Sequence, residues 1–199
     1  MPATKLPFSG DPTADALLEK DPLALLIGMV LDQQIPLEKA FRSPMVLQQR
    51  MGGKKLNAEV IADTDTDELV AIFSEVPALH RFPASMGKRV QEMCRHLVDE
   101  YGGRADKVWK TAADGADLLA RMKAMPGFGD QKAKIFVALL GKRLGVVPPG
   151  WEKAAGDYGQ PGSFRSVADI DSPQALKQVR AYKQEMKAKA KASAGAAKA

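Results

Sequence analysis

Two glycines flank one bulky apolar residue in the segment Pro126-Gly127-Phe128-Gly129, which separates two apolar stretches with helical spacing. Glycine allows the backbone to turn tightly and to approach a ligand closely. Backbone amides exposed in such a turn, at the start of a helix, suit an anion such as a phosphate group. The segment therefore predicts an anion-binding turn. The alternative is a plain helical hairpin whose glycines only permit close packing.

Metal and thiol chemistry find little support in the sequence. The single cysteine, Cys94, excludes an internal disulfide and a four-cysteine iron–sulfur cluster within one chain. His80 and His96 have no cysteine or acidic cluster at the spacing of a zinc site. Cys94 falls on an apolar helical face, so we expect it to serve packing rather than reactivity. No side-chain metal site is predicted.

Helical periodicity must position these groups, and it extends over most of the chain. Its clearest stretch lies between Pro83 and Tyr101, where one continuous apolar stripe is formed by Val90, Met93, Cys94, Leu97, Val98 and Tyr101. Further helices are predicted from Leu23 to Gln34 behind an Asp21-Pro22 start, from Pro36 to about Met51, from Asp65 to Glu75, on both sides of residues 126–129 with Asp114 as a cap, and from about Pro173. No strand-like alternation exceeds a few residues, so we predict an all-α protein.

Positive charge is concentrated at the C-terminus. From Gln174 onward there are seven basic residues and one acid, whereas the rest of the chain carries 22 bases and 23 acids. A basic segment attracts phosphates without reading sequence, although a solvated, fraying helix would have the same composition. The start of the chain lacks a secretory pattern, and the apolar run from Leu23 to Leu31 is too short to cross a membrane. We expect a cytoplasmic protein, nucleoid-associated in a prokaryote.

The chain resembles the helix-hairpin-helix (HhH-GPD) DNA glycosylases, the superfamily of endonuclease III, the adenine mismatch glycosylase and the alkyl-base glycosylases. The most specific match is the hairpin at residues 125–133, Met-Pro-Gly-Phe-Gly-Asp-Gln-Lys-Ala. Leu31-Asp32-Gln33-Gln34 is similar to the family's glutamine-bearing loop, and residues 86–103 are similar to the helix before the hairpin. The resemblance covers roughly residues 21–150, and the last 50 residues look particular to this branch.

This resemblance implies a base-excision repair protein that binds double-stranded DNA, with two helical lobes flanking a cleft. We predict one domain of two interlocked lobes at residues 1–173, and a basic C-terminal helix and tail at 174–199. The backbone amides of Gly127, Phe128 and Gly129 are expected to hold one DNA phosphate, helped by a monovalent cation at the hairpin carbonyls. Lys132 is expected to contact a neighbouring phosphate. No organic cofactor and no iron–sulfur cluster are implied.

Gln33 and Gln34 are expected to act where a base leaves the duplex. Extruding a base leaves a gap in the stack, and a flat amide fills it while offering a donor and an acceptor to the orphaned partner base. A polar helix end in solvent is the alternative. Trp151 is the preferred wall for stacking on the flipped base, with Trp109, Tyr158 and Phe164 as further aromatic candidates. Core packing is the commoner use of such residues.

The catalytic carboxylate is the open question. The family uses an aspartate after the Gly/Pro-rich loop, to stabilise the cationic sugar and to activate water. The matching position here is Pro149. Glu152, Asp32 and Asp157 are the candidate replacements, although an acid of this kind is more often a surface residue than a catalyst.

Bifunctional members cut the strand with a lysine early in the second hairpin helix, through a Schiff base. Gln131 occupies that position and is assigned to DNA contact instead. Lys132, one residue on, is expected to turn about 100° away from the cleft.

Three functions follow. The leading one is a monofunctional DNA glycosylase that leaves an abasic site. The second is a catalytically inactive DNA- or lesion-binding protein on the same scaffold. The third and weakest is a protein-interaction module. We expect a monomer with no membrane association.

Overall fold

The computed structural model describes residues 5–196, with side chains described as far as Lys189. Within this range the regular structure is entirely helical, which confirms the predicted all-α class. The α-helices are α1 (Pro12–Lys20), α2 (Pro22–Leu31), α3 (Leu37–Arg50), α4 (Ala58–Asp63), α5 (Thr66–Ser74), α6 (Pro83–Tyr101), α7 (Lys107–Lys110), α8 (Gly115–Ala124), α9 (Asp130–Leu144), α10 (Trp151–Ala155) and α11 (Pro173–Ala196). Short 3-10 turns at Gly156–Tyr158 and Val167–Asp169 precede α11.

Aspartate caps fix the starts of several helices. The side chain of Asp21 accepts the amides of Leu23 and Ala24 at the start of α2. Asp114 does the same for Asp117 at the start of α8. Each side chain satisfies amides that have no partner within the helix. Both predicted caps are confirmed.

Helix α2 runs through the centre of the core. Its residues from Leu23 to Leu31 are all buried, as expected for a helix that is apolar all round. Gly28 allows the ring of Phe41 on α3 to lie against the helix, since a Cβ there would come within 2.7 Å of Phe41 Cδ1. The central position of α2 brings its C-terminal end, with Asp32, to the candidate site.

Helix α2 ends at Leu31, three residues before the predicted end at Gln34. The amide of Asp32 still donates to the Gly28 carbonyl at 3.0 Å, but the amide of Gln33 donates to Leu31 at 2.7 Å. Gln34 then adopts a left-handed backbone conformation with φ 55°. Pro36 also disfavours helical geometry at the residue before it. Gln33 and Gln34 therefore lie in a loop rather than on a helix end.

The predicted hairpin is formed by α8 and α9, with α10 packed against both. The ring of Trp151 lies on Gly141 of α9, where a Cβ would come within 2.4 Å of the ring. Gly115 of α8 lies against the backbone of Trp151 in the same way, with a Cβ position 2.5 Å from its nitrogen. Trp151 thus joins the two hairpin helices by packing.

Helix α6 occupies the whole span from Pro83 to Tyr101 that the periodicity predicted, and ends at Gly102 in a left-handed conformation with φ 60°. Cys94 is fully buried, and this burial raises the pKa of its thiol. A protonated, enclosed thiol is unreactive. The prediction that Cys94 serves packing is confirmed.

Candidate functional site

A cavity of about 940 Å³ lies between the loop after α2, the start of α9 and the first half of α11. It brings together six of the candidate residues from the sequence, which are Asp32, Gln33, Gln34, Gln131, Lys132 and Tyr158. Residues 32–34 and residues 131–132 are more than 90 positions apart in sequence. Tertiary packing between the end of α2 and the start of α9 brings the two groups together. Pockets of about this volume accommodate small organic groups.

Asp32 and Glu38 are the carboxylates that line this cavity, and Glu38 is paired with Arg180. Burial raises the pKa of Asp32, and the charges of Lys183 and Lys132 oppose that shift. No described residue donates a hydrogen bond to its carboxylate oxygens. A desolvated carboxylate without a hydrogen-bonding partner, facing a cavity, is available to a ligand with positive charge or to a water molecule.

Lys132 also faces this cavity, so the prediction that it turns away from the cleft is wrong. Its Nζ donates to the carbonyl oxygens of Met29 at 2.7 Å and Val30 at 3.1 Å, near the C-terminal end of α2. Those carbonyls lack helical partners and carry the negative end of the helix dipole. A long, flexible side chain reaches back to them whatever the angle of its Cα on α9. The phosphate contact assigned to Lys132 stays a prediction.

The environment of Lys132 lowers its pKa from 10.5 to about 8. Burial is the main cause; the charge of Asp32 raises the pKa and that of Arg89 lowers it. A neutral amine can still donate to both carbonyls. Because burial favours the neutral amine, keeping Lys132 as an ammonium costs free energy in the folded protein.

The stability of the protein should consequently rise with pH between about 8 and 10.5, the folded and unfolded pKa values of Lys132. In this window the unfolded chain binds more protons than the folded one. Lys132→Met should remove a rise on the order of 2–3 kcal/mol in the free energy of unfolding. Urea unfolding at pH 7, 9 and 10.5 measures it against exposed Lys153→Met. Parallel pH profiles for wild type and Lys132→Met would contradict the prediction.

Gln33 is held in place from two sides. Its Nε2 donates to the Val30 carbonyl at 2.8 Å and approaches Met86 Sδ at 3.3 Å. The backbone carbonyl oxygen of Gln33 lies 2.9 Å from His80 Nε2. His80 Nδ1 accepts the Phe82 amide at 3.0 Å, so the ring hydrogen sits on Nε2 and is donated to Gln33. Burial lowers the pKa of His80, which favours this neutral tautomer.

Gln34 differs from its neighbour. It is exposed, and its amide makes no hydrogen bond to a described residue. It has a left-handed backbone conformation and lines the cavity. Of the two glutamines, Gln34 is thus the one whose side chain is available to a partner. Sequence reasoning could not separate them, because the His80 contact spans 47 residues.

The hairpin turn retains only part of the predicted anion site. The Phe128 side chain is buried and packs edge-to-face on Phe136, with ring centroids 5.6 Å apart. Its amide donates to the Met125 carbonyl at 3.0 Å. The prediction that the Phe128 amide binds a phosphate is therefore wrong, because this amide already donates to the Met125 carbonyl.

The amides of Gly127 and Gly129 donate to no acceptor in the described part of the chain. Gly127 has φ 88°, and a Cβ there would lie 3.2 Å from Arg89 Cδ and Val30 Cγ2. Gly129 is exposed, and a Cβ there would meet nothing within 4 Å. The turn thus presents an open face at Gly129, immediately before the unpartnered amides of the first turn of α9.

Asp130 follows this open face and carries a competing negative charge. Its carboxylate contacts Lys123 at 2.6 Å and Lys134 at 2.8 Å. Hydrogen bonds from these lysines lower the pKa of Asp130 to about 2. Two cations around one carboxylate leave the surface beside Gly129 net positive, which favours an incoming anion.

The three carboxylate candidates occupy different places. Only Asp32 lines the cavity. Asp157 pairs with Arg165 at 2.6 Å, and Arg165 lies at the cavity wall. Glu152 is exposed on α10, outside the cavity. At the position of the family's aspartate, the carbonyl of Pro149 accepts the Gly115 amide at 2.8 Å, so this loop serves the packing of α8.

The aromatic candidates separate in the same way. Trp151 lies on Gly141, and Trp109 is buried edge-to-face on Phe136 at 5.9 Å, so neither of them lines this cavity. Tyr158 does line it, and its hydroxyl accepts a hydrogen bond from Gln131 Nε2 at 2.8 Å. Tyr182 of α11 is a second aromatic wall, which sequence reasoning missed because nothing local connects α11 with the cavity.

Within the described residues, no group of three or more histidine, cysteine and acidic side chains could hold a metal ion. None of the helices over 5–196 is long and apolar enough to span a membrane.

A family model described as HhH-GPD superfamily base excision DNA repair protein matches residues 27–197. The match contains the loop at 32–34, the hairpin and α11, so it extends well beyond the 21–150 range of the sequence resemblance. No curated protein and no solved structure matches the chain significantly.

Proposed function

The chain belongs to the HhH-GPD superfamily of base excision DNA repair proteins, and we propose that it is a monofunctional DNA glycosylase. In this proposal it flips a damaged or mispaired base from double-stranded DNA and hydrolyses the N-glycosidic bond. The protein acts as a monomer on DNA in the cytoplasm. The observation that carries the proposal is the unpaired Asp32 carboxylate in the cavity beside the hairpin.

Asp32 has the chemistry that this reaction needs. As the glycosidic bond breaks, its electron pair leaves with the base and positive charge develops on the sugar. A carboxylate that is partly withdrawn from water stabilises that charge more strongly than one in bulk water. It can also take the proton of the water whose oxygen bonds to the sugar carbon. Lys183 and Lys132 favour the ionised form of Asp32 that both steps require.

The rest of the cavity supports the same assignment. Tyr158 offers a flat face to a flipped base, and its bond to Gln131 fixes the orientation of the ring. Gln34, exposed in the loop beside Asp32, is available to fill the space that the base leaves. The open face at Gly129 would hold a phosphate of the same duplex. Hairpin carbonyls other than those of Met125 and Gly129, which accept the amides of Phe128 and Ala133, would hold the predicted monovalent cation.

The proposal of a monofunctional enzyme rests on Gln131, whose amide cannot form a Schiff base. Lys132 follows Gln131 on α9, and its Nζ is engaged by two carbonyls of α2. An engaged amine is poorly placed to attack a sugar carbon. The alternative of an inactive lesion-binding protein is favoured by one observation, the structural use of Pro149 in place of the family's aspartate.

A panel of duplexes containing uracil, alkylated, oxidised and mismatched bases tests the proposal. We expect release of a free base from at least one substrate, an intact abasic strand, and no covalent adduct after borohydride treatment. A trapped adduct that Lys132→Met abolishes would overturn the monofunctional assignment. Salt-dependent binding to an abasic-site mimic without any base release would favour the inactive alternative.

A further inference from the structure

Helix α11 is anchored at its beginning and extends past the cavity. Ala175 and Val179, in its first two turns, are buried against the core. Its 24 residues correspond to a length of about 36 Å. Apart from the half-buried Tyr182, the described side chains after Val179 are exposed. Most of the helix is therefore a projecting surface.

Two contacts hold α11 across the cavity. Arg180 forms an ion pair with Glu38 at the start of α3, on the side of the glutamine loop. On the other side, the Arg165 guanidinium lies 5.9 Å from the centre of the Tyr182 ring. Arg165 is itself paired with Asp157. These contacts place one face of α11 over the cavity.

That face changes from apolar to basic along the helix. It contains Leu176, Val179, Arg180, Tyr182, Lys183, Met186 and Lys187, all of which line the cavity. Leu176 and Val179, near the start of α11, pack against the core. Lys183 and Lys187, further along the helix, are exposed and carry positive charge. The nearest acid on the helix, Glu185, lies off this face and pairs with Lys189 at 2.6 Å.

Most cations at the cavity have an assigned acceptor. Lys132 donates to α2, Arg165 to Asp157 and Arg180 to Glu38. Lys183 and Lys187 donate no hydrogen bond to a described residue, and Lys183 acts on Asp32 only through its charge. Residues four apart lie on the same side of a helix, about 6 Å apart along its axis. These two ammonium groups form a basic pair beside the cavity.

We propose that α11 is a second DNA-binding element, in which Lys183 and Lys187 bind phosphates of the strand whose nucleotide enters the cavity. This inference rests on the proposed function. The backbone on either side of a flipped nucleotide must pass the cavity mouth, where these lysines lie. Lysine binds phosphate as a point charge and positions the strand without reading its sequence. The hairpin turn at Gly129 would then hold the duplex at a separate phosphate.

The test compares two charge-matched double variants in the full chain. Lys183→Ala/Lys187→Ala removes the proposed contacts. Lys177→Ala/Lys189→Ala removes the same charge from the same helix, at positions about 120° around the axis from Lys183. Affinity for a duplex with an abasic-site mimic is measured from 50 to 300 mM salt, and thermal unfolding checks that each variant folds.

We expect the first variant to bind roughly 10- to 30-fold more weakly at 0.15 M salt, with a log–log salt slope shallower by about 1.8. The control variant should keep the wild-type slope within about 0.5, because its charges lie off the contact face. Since Lys183 also faces Asp32, Lys187→Ala is measured alone. It should make the slope shallower by about 0.9.

Equal losses in the two double variants would overturn the inference, as would wild-type slopes in both. Unchanged DNA affinity together with lost binding to a polyglutamate peptide would assign the face to an acidic polypeptide. Each of these three results leaves the proposed function unchanged if wild type still releases a base. Absence of any DNA binding by wild type would instead remove the proposed function and this inference together.

Discussion

Asp32→Asn is expected to lower the rate of base release by at least about 100-fold. Asparagine keeps the shape of the side chain, but it carries no negative charge for the developing sugar cation and accepts no proton from water. The rate is measured in single turnover with saturating protein, so that weaker DNA binding does not contribute. The substrate is whichever duplex of the lesion panel wild type processes best.

A merely structural role for Asp32 would give a different result. Burial raises the pKa of Asp32, so the folded state binds more protons than the unfolded state between the ordinary aspartate pKa and the raised one. Stability therefore falls as pH rises through that window, so at neutral pH the burial of Asp32 destabilises the fold. Asp32→Asn removes this effect and should be at least as stable as wild type in urea at pH 7. A marked loss of stability would contradict the assignment.

Two matched carboxylates serve as controls. Glu152→Gln changes an exposed side chain on α10, and Asp157→Asn breaks the ion pair with Arg165 at the wall. Both should retain base release within about threefold, since Glu152 lies outside the cavity and an exposed ion pair such as that of Asp157 contributes little. The wild-type rate should also fall on the acid side at a pH above the ordinary aspartate pKa, because Asp32 must be ionised. Loss of activity in Glu152→Gln alone would move the catalytic assignment to α10.

Local signals account for what the sequence could predict of the fold. Helix α6 follows from a continuous apolar stripe, and α8 and α2 from an aspartate at the cap. The hairpin follows from Pro126-Gly127-Phe128-Gly129. The end of α2 could not be predicted, because it depends on the left-handed conformation of Gln34. Helical periodicity carries no information on a single residue with that geometry.

The candidate site depends on contacts that no local pattern encodes. Lys132 reaches the α2 carbonyls over 103 and 102 residues of sequence. Burial by α11 and the hairpin, rather than any motif, distinguishes Asp32 from Glu152 and Asp157. The packing of Trp151 on Gly141 likewise keeps the preferred stacking candidate out of the cavity. Residue types were enough to propose the candidates. Tertiary packing determines which of them line the cavity.

Gly129→Pro should weaken binding to duplex DNA by about tenfold to a hundredfold, the value of one hydrogen bond from a backbone amide to a charged group. The Gly129 amide has no acceptor in the described part of the chain, and proline removes its hydrogen without breaking a hydrogen bond of the described chain. The backbone at Gly129 has φ −75°, which proline adopts without strain. The added ring enters a region where a Cβ meets no atom within 4 Å.

Gly129→Ala is the matched control, because it adds a Cβ at the same place and keeps the amide hydrogen. It should bind DNA within about twofold of wild type, since an exposed Cβ in open space disturbs neither partner. Proline also restricts Phe128, whose ring packs on Phe136. Thermal unfolding of both variants therefore accompanies the binding measurement. If Gly129→Pro folds like wild type and binds DNA as tightly, the hairpin amide does not hold a phosphate, and the duplex must be gripped elsewhere.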